Sequence, residues 1–172
     1  TALMYAVRHS TIEVARMLLD RGADANHTSK YGWNALMIGA TNNAPNETLA
    51  LLLDHGSDPN KAETEAGWTP LMQALRKMPR KDGAELLLAR GADPNKGSKD
   101  NYTPLMVASS MDTTPERINM LLKAGARVNE RERKYGGMTA LIAAVRYNGV
   151  VSTVSALVEG GADLGARDQN GL

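Results

Sequence analysis

A short motif recurs five times along the chain, and this repetition constrains the fold more than any other feature. The motif is Thr or Asn, then Ala or Pro, then Leu, then Met or Ile. Its leucines are Leu3, Leu36, Leu71, Leu105 and Leu141. A second signature, of the type RGADPN, follows each motif, and its glycines are Gly22, Gly56, Gly91, Gly125 and Gly161. Both landmarks recur every 33 to 36 residues, and a period of this length is typical of a stacked repeat protein.

Each copy predicts two short helices followed by a turn-rich connection, called here the finger. Thr69-Pro70 and Thr103-Pro104 are typical of a helix N-cap followed by proline at the first helical position. Apolar residues three, four and seven positions before each signature glycine have helical spacing. The glycine itself is predicted to adopt the left-handed conformation that ends the helix. A small residue three positions after each motif leucine predicts close helix packing; these residues are Ala6, Gly39, Ala74, Ala108 and Ala144.

The segment TPLMQAL…LLLARGADPN, from Thr69 to Asn95, resembles the ankyrin repeat pattern TPLHxAA…LLLxxGADxN. The other four copies are closely similar, so the resemblance covers essentially the whole chain. It implies an all-α ankyrin-repeat solenoid of helix-turn-helix pairs joined by finger-like turns or hairpins. We predict a single domain over 1–172 with repeats 1–33, 34–68, 69–102, 103–138 and 139–172. The first repeat lacks the polar character of a solenoid cap, since Leu3, Val7 and Met17 are typical of an internal repeat. We therefore expect a segment of a longer array.

The copies depart from the family pattern in three ways. The histidine after Thr-Pro-Leu is replaced by Met4, Met37, Met72, Met106 and Ile142. We predict that the methionine side chains fill the core, and that apolar packing replaces the family's Thr–His hydrogen bonds. The second and fourth fingers are longer by one and two residues than the first and third. Gly165 stands where the other copies have Asn, which predicts a looser fifth finger.

Composition and motifs exclude several classes of function. The chain has no Cys and a net charge of +1, so it lacks thiolate metal sites and the basic excess of a typical nucleic-acid binder. No apolar stretch approaches the roughly 18 residues of a membrane span. His9, His27 and His55 have no metal-ligand spacing, and phosphate-loop, nucleophile-elbow and zinc-protease motifs are absent. We therefore expect no enzyme activity, cofactor, metal, nucleic-acid partner or membrane span. We expect a monomer, with a cytoplasmic location favoured.

Two columns of residues are candidates for a partner-binding surface. The residue before each helix-starting Thr or Asn is expected at the finger tip; these residues are Trp33, Trp68, Tyr102 and Met138. Exposed aromatic stripes mark interfaces, although such rings also pack on the adjacent finger and stabilise it, and both roles are compatible. The second column lies five and six residues after each motif leucine, and its candidates are Arg8, His9, Arg76, Lys77, Arg146 and Tyr147. In the ankyrin family, these columns lie on the finger tips and the concave face.

The basic run from Arg76 to Lys81 allows two interpretations, a patch for an acidic partner or a solvated turn between helices. Our leading hypothesis for the whole chain is a protein–protein interaction module that uses the concave face and finger tips. One alternative is a targeting or substrate-recruiting segment of a larger enzyme whose catalytic domain lies outside this sequence. Another is a self-associating structural scaffold.

Overall fold

The computed structural model describes residues 1–9, 11–76, 82–111, 114–134 and 136–171. Within these ranges the regular structure is helical, and no strand occurs. The helices are α1 (Ala2–Arg8), α2 (Ile12–Asp20), α3 (Ala35–Thr41), α4 (Asn46–Asp54), α5 (Pro70–Arg76), α6 (Asp82–Ala89), α7 (Pro104–Ser110), α8 (Pro115–Lys123), α9 (Ala140–Ala143) and α10 (Val151–Glu159). A π-helical turn, Ala144–Asn148, continues α9. Two helices in each repeat confirm the predicted all-α repeat fold.

The helices belong to two compact units, Thr1–Asp93 and Pro94–Leu172. The first unit contains α1 to α6, and the second contains α7 to α10. The boundary lies inside the GADPN turn of the third repeat. The assignment of 1–172 to a single domain stays a prediction.

The ends of the helices follow the sequence signals. The side chains of Asn34 and Thr103 accept the N–H groups of Met37 and Met106, at 2.9 and 3.3 Å. These N-caps satisfy donors that the first helical turn leaves without a partner. The signature glycines all have φ between 83° and 90°, as the left-handed prediction requires; they are Gly22, Gly56, Gly91, Gly125 and Gly161.

The methionines of the repeated motif lie in the core, as predicted. Met37, Met72 and Met106 are fully buried. The expectation that apolar packing alone replaces the family's hydrogen bonds is wrong in one respect. The backbone N–H of Thr103 donates to the Sδ of Met106 at 3.5 Å. A thioether sulfur is a weak acceptor, so the methionine still makes a weak hydrogen bond at this position.

The asparagines of the GADxN signature join consecutive repeats. In the first unit, the Nδ2 of Asn26 donates to the carbonyl oxygen of Gly56 at 2.7 Å, and its Oδ1 accepts the N–H of Asp58 at 2.8 Å. Asn60, Asn95 and Asn129 make the same pair of bonds. Gly165 stands at this position in the fifth repeat, and it cannot make these bonds because it has no side chain.

Among the residues that the structure describes, a π-helical turn occurs in the fifth repeat alone. Asn148 lies at its end and donates from Nδ2 to the carbonyl oxygen of Met111 at 2.6 Å. Gly149 then reverses the chain with φ 67°. Among the described residues, no helix has both the length and the apolar character needed to cross a lipid bilayer.

Candidate protein-binding surface

The two short fingers are closed by a serine three residues after the signature asparagine. Ser29 donates its N–H to the carbonyl oxygen of Trp33 at 2.8 Å, and its Oγ accepts the N–H of Trp33 at 3.2 Å. Ser98 and Tyr102 repeat this pair of bonds at 3.0 Å each. The serine thereby fixes the backbone that carries the finger-tip aromatic residue.

In the two longer fingers a buried glutamate occupies the same position. The Glu63 carboxylate accepts three backbone N–H groups, from Glu65 at 2.6 Å, Ala66 at 2.9 Å and Trp68 at 2.8 Å. Glu132 likewise accepts from Lys134, Gly137 and Met138 at 2.6, 3.1 and 3.0 Å. The longer side chain reaches the additional backbone donors of the longer finger.

Two buried ionisable groups, Glu63 and Arg117, have lowered pKa values for different reasons. Burial raises the pKa of Glu63, but the backbone N–H groups of Trp68 and its neighbours lower it, and the net pKa is lowered. These donors stabilise the ionised carboxylate. Burial lowers the pKa of Arg117 in α8, because the protein interior disfavours the cation.

Neighbouring fingers within each unit are also joined by backbone hydrogen bonds. In the first unit, Thr64 donates its N–H to the carbonyl oxygen of Tyr31 at 3.1 Å. In the second unit, Arg133 donates to Asp100 and Gln169 donates to Gly136, both at 2.7 Å. These bonds join the backbone of one finger to the backbone of the next finger in the same unit.

The predicted finger-tip column divides into three partly exposed rings and one buried residue. Trp33 and Trp68 in the first unit are half-buried, and so is Tyr102 in the second. Met138 is only 1% exposed. The prediction that Met138 belongs to the partner-binding surface is wrong, because this apolar side chain packs in the core of its unit.

An arginine lies over one of these rings. The Cζ of Arg76 lies over the Trp68 ring, 5.5 Å from its centroid. Arg76 is in the last turn of α5, where a cation suits the helix dipole. Side chains on a helix lean towards its N-terminus, which directs this arginine back towards the finger tip. The structure thus brings together a member of each predicted column in the first unit.

The other candidates of the second column form two local groups. In the first unit, Arg8 and His9 are exposed at the end of α1, and the His9 ring stacks on Tyr5 with centroids 6.4 Å apart. In the second unit, Arg146 lies over Tyr147 at 5.4 Å, and both side chains are exposed on the π-helical turn. Lys77 lies outside the described residues.

Sequence reasoning missed Tyr5, Glu63 and Glu132. Tyr5 stands two residues after its motif leucine, outside both chosen columns. The glutamates had a visible signal, since they replace serine in the two longer fingers only. No cluster of three His, Cys, Asp or Glu residues placed to hold a metal ion occurs among the described ranges.

Comparison with known proteins agrees with the repeat architecture. The family model for ankyrin repeats (3 copies) matches residues 3–98 and 80–168. A mitochondrial disaggregase from Bos taurus and one from Homo sapiens are each 41% identical to this chain over 59 residues. That match covers 34% of this chain and 9% and 8% of the two relatives. The matched segment therefore spans less than a tenth of the length of either relative.

Proposed function

Because the chain belongs to the ankyrin repeat family, we propose that it is a protein-binding module whose contact surface combines the finger tips with the ends of the first helices, on the concave face. Its centre in the first unit is formed by Trp33, Trp68 and Arg76. In the second unit, Tyr102, Arg146 and Tyr147 occupy the corresponding columns, and Arg8 and His9 extend the surface at the first repeat.

The contact between Arg76 and Trp68 carries this proposal. A guanidinium over an indole face is attracted by the ring quadrupole. Trp and Arg are the residue types that most often dominate the binding energy of an interface. Here they lie together on a partly exposed surface, with the backbone of the finger fixed by Glu63.

The charge of the second column supports an acidic partner. Its ten positions contain Arg8, Arg76, Lys77 and Arg146 but no Asp or Glu. This differs from the chain as a whole, where 20 basic residues nearly balance 19 acidic ones. Clustered charge of one sign steers a partner of opposite sign and raises the association rate. We propose a protein rather than a nucleic acid, because Glu130 and Glu132 interrupt the basic residues of the fourth finger.

Binding of this kind needs no reaction and no cofactor. The fingers are joined within each unit by backbone hydrogen bonds, so their backbone loses little conformational freedom when a partner binds. The proposed mechanism is recognition by a surface that is already in its binding conformation.

The experiment begins with capture of a partner, followed by binding kinetics. Trp68→Ala should weaken binding at least about thirtyfold, mainly through faster dissociation, since each 1.4 kcal/mol is tenfold. Val14→Ala is the matched control, because Val14 is an exposed apolar residue on α2, outside the finger tips and both columns. A folded Trp68→Ala variant that binds like the parent would exclude the finger tips as the binding centre.

A second variant tests the charge. Arg76→Glu should slow association and reduce its dependence on salt. Lys123→Glu makes the same change of net charge at an exposed site on α8 and should have little effect. Equal effects of the two reversals would mean that only net charge matters, and would contradict the assignment of Arg76.

The similarity to the disaggregases favours one further candidate, a segment that recruits clients for an attached enzyme. Under this candidate, the chain binds a heat-denatured protein more tightly than the same protein in its native state. Equal or absent binding to the two forms would exclude it.

A further inference from the structure

An open, polar groove of about 610 Å³ lies between the third and fourth fingers, inside the second unit. Its lining includes the side chains of Asn101, Arg127, Glu130, Arg131 and Arg133. None of these residues belongs to the finger-tip column or to the second column of the proposed binding surface. We call it the arginine groove, because arginine is the residue type that most often lines it.

The fold separates charges that alternate along the fourth finger. The run from Glu130 to Lys134 has the sequence ERERK, in which acids and bases nearly cancel. Glu132 is only 2% exposed, and its carboxylate accepts backbone N–H groups of its own finger. Arg131 and Arg133, on either side of it in the chain, are exposed. One acid is therefore withdrawn from the surface, and the neighbouring bases stay on it.

Arg127 adds a positive charge where the other repeats carry a negative one. In the other four copies the third residue of the GAD signature is an aspartate; these residues are Asp24, Asp58, Asp93 and Asp163. At Asp24, Asp58 and Asp163 the carboxylate accepts the backbone N–H two residues later, at 2.8, 2.8 and 2.9 Å. Arginine has no acceptor for such a bond. Arg127 instead donates from Nη1 to Glu130 at 3.3 Å, on the groove.

Asn101 is a second departure from the repeat, and it contributes the third finger's side of the groove. The residue before the finger-tip residue is glycine in the first, second and fourth fingers, with φ between 77° and 80°; these are Gly32, Gly67 and Gly137. Asn101 adopts the same left-handed conformation, with φ 58°, although glycine accepts it more readily. Its Nδ2 donates to the carbonyl oxygen of Arg131 at 2.8 Å and to Oε2 of Glu130 at 3.4 Å. The asparagine therefore positions two residues of the groove.

The arginines of the groove are anchored and still have donors for a ligand. Nη1 of Arg131 donates to the carbonyl oxygens of Gly137 at 3.0 Å and Arg167 at 2.7 Å. Nη2 and Nε of the same planar group take no part in these two bonds. The backbone N–H of Arg133 donates to the carbonyl oxygen of Asp100 at 2.7 Å. Its guanidinium makes no hydrogen bond or ion pair with any residue that the structure describes.

We propose that the arginine groove binds an acidic, extended segment of a protein, whose Asp or Glu carboxylates accept hydrogen bonds from Arg127, Arg131 and Arg133. Guanidinium groups are well suited to carboxylates, because the donors of their planar fork match the two oxygens. The one acid on the groove, Glu130, already accepts from Arg127 and Asn101. This site goes beyond the proposed function, since it lies outside both columns.

The arrangement favours carboxylates on a peptide over other anions. The guanidinium of Arg127 is bound to Glu130 and that of Arg131 to the fifth finger. Because the two groups have different partners, they suit separate carboxylates better than a single phosphate. A nucleic acid would need rings on which its bases could stack. None of the described residues that line the groove is aromatic.

The first test measures binding of a fluorescently labelled hexaglutamate peptide to the 172-residue chain by anisotropy at low salt. Arg127→Asp restores the aspartate of the other repeats and should weaken binding at least about tenfold, because it replaces a charged donor by a charge that repels the peptide. Arg133→Gln removes one charge and should weaken binding about threefold. Arg16→Asp makes the same charge change as Arg127→Asp at an exposed arginine of α2 and should have little effect. A parent chain that does not bind the peptide, or an equal loss with Arg16→Asp, would overturn the proposal.

The second test concerns the positioning residue Asn101. Asn101→Gly should keep the fold, since glycine readily adopts this backbone conformation and occupies the position in other fingers. It should weaken hexaglutamate binding about threefold, the scale of one ordinary hydrogen bond, because Glu130 and Arg131 lose their common donor. A circular dichroism spectrum like that of the parent separates this loss from unfolding. A folded variant with the affinity of the parent would contradict the role of Asn101.

The third test fixes the place and the chemistry of the ligand. Arg76→Glu and Trp68→Ala change the proposed finger-tip surface and should leave hexaglutamate affinity unchanged, so the two proposals can fail independently. A loss with Arg76→Glu as large as with Arg127→Asp would place the peptide on the second column and overturn the groove. Tighter binding of hexathymidylate, or of a glycine-serine peptide with one phosphoserine, would identify a nucleic acid or a phosphate as the ligand and would overturn the assignment to carboxylates.

Discussion

The short and the long fingers differ by one or two residues and by the side chain that closes them. In the first and third repeats, Ser29 and Ser98 close a loop whose aromatic residue follows four positions later. In the second and fourth, Glu63 and Glu132 close loops of five and six positions. All four side chains accept the N–H of the finger-tip residue. The closing residue therefore has the same role in every finger, and its side chain is longer where the finger is longer.

A repeat array tolerates an insertion in a finger when the side chain that closes the finger is longer as well. An inserted residue adds a backbone N–H that must find a partner when the finger is closed. A serine has one oxygen on a short side chain, whereas a glutamate has two oxygens at the end of a longer one. The glutamate therefore accommodates the longer finger and still presents Trp68 at its tip.

The largest expected effect comes from removing the carboxylate of a long finger. Glu63→Ala deprives three backbone N–H groups of a charged acceptor and should lower the free energy of unfolding by about 2–4 kcal/mol. Denaturant unfolding measures this effect. Glu65→Ala changes an exposed acid in the same finger and should cost less than about 0.5 kcal/mol. Equal costs for the two variants would mean that Glu63 does not hold the finger.

Replacing Glu63 by glutamine keeps the size of the side chain but removes its charge, and the expected loss of stability is smaller. Its pKa is lowered in the folded state, so its contribution is complete above the unfolded pKa of about 4.3 and is lost as the pH falls through the folded value. Glu63→Gln should cost about 1–2 kcal/mol at neutral pH. Its difference from the parent should shrink below about pH 4. A difference independent of pH would show that charge is unimportant there.

Shortening the second finger tests whether the length of a finger and the residue that closes it depend on each other. Glu63→Ser leaves the second finger with a closing side chain that is too short for its length. Deleting Ala66 as well gives the serine-to-aromatic spacing of the first finger. The deletion should recover about 1 kcal/mol of the loss, the value of one ordinary hydrogen bond. If unfolding experiments show that it only adds destabilisation, loop length and closing residue are not coupled.

The smallest expected effect lies in the short fingers. Ser29→Ala removes a neutral acceptor from the N–H of Trp33 and should cost about 0.5–1.5 kcal/mol. Ser98→Ala should cost a similar amount in the second unit. A loss as large as that of Glu63→Ala would contradict the distinction between the two finger types.

Much of the fold could be predicted because its signals are local. The N-cap at Thr103 and the left-handed glycine at Gly91 depend on residues a few positions away, and both are as expected. The candidate surface was less predictable. Trp68 and Met138 occupy the same repeat position, yet one side chain is half-buried and the other lies in the core. Their sequence register gave no indication of this difference.

The repeat, the two helices of each copy and the closing turns follow from the amino-acid sequence alone, because they depend on spacing and on the preferences of single residues. Which side chains are covered depends on the tertiary structure. Glu63 and Glu65 are the same residue type two positions apart in one finger, but Glu63 is buried and Glu65 is exposed. Burial is a property of the neighbour that packs on a side chain, and neither residue type nor register records whether that neighbour is present.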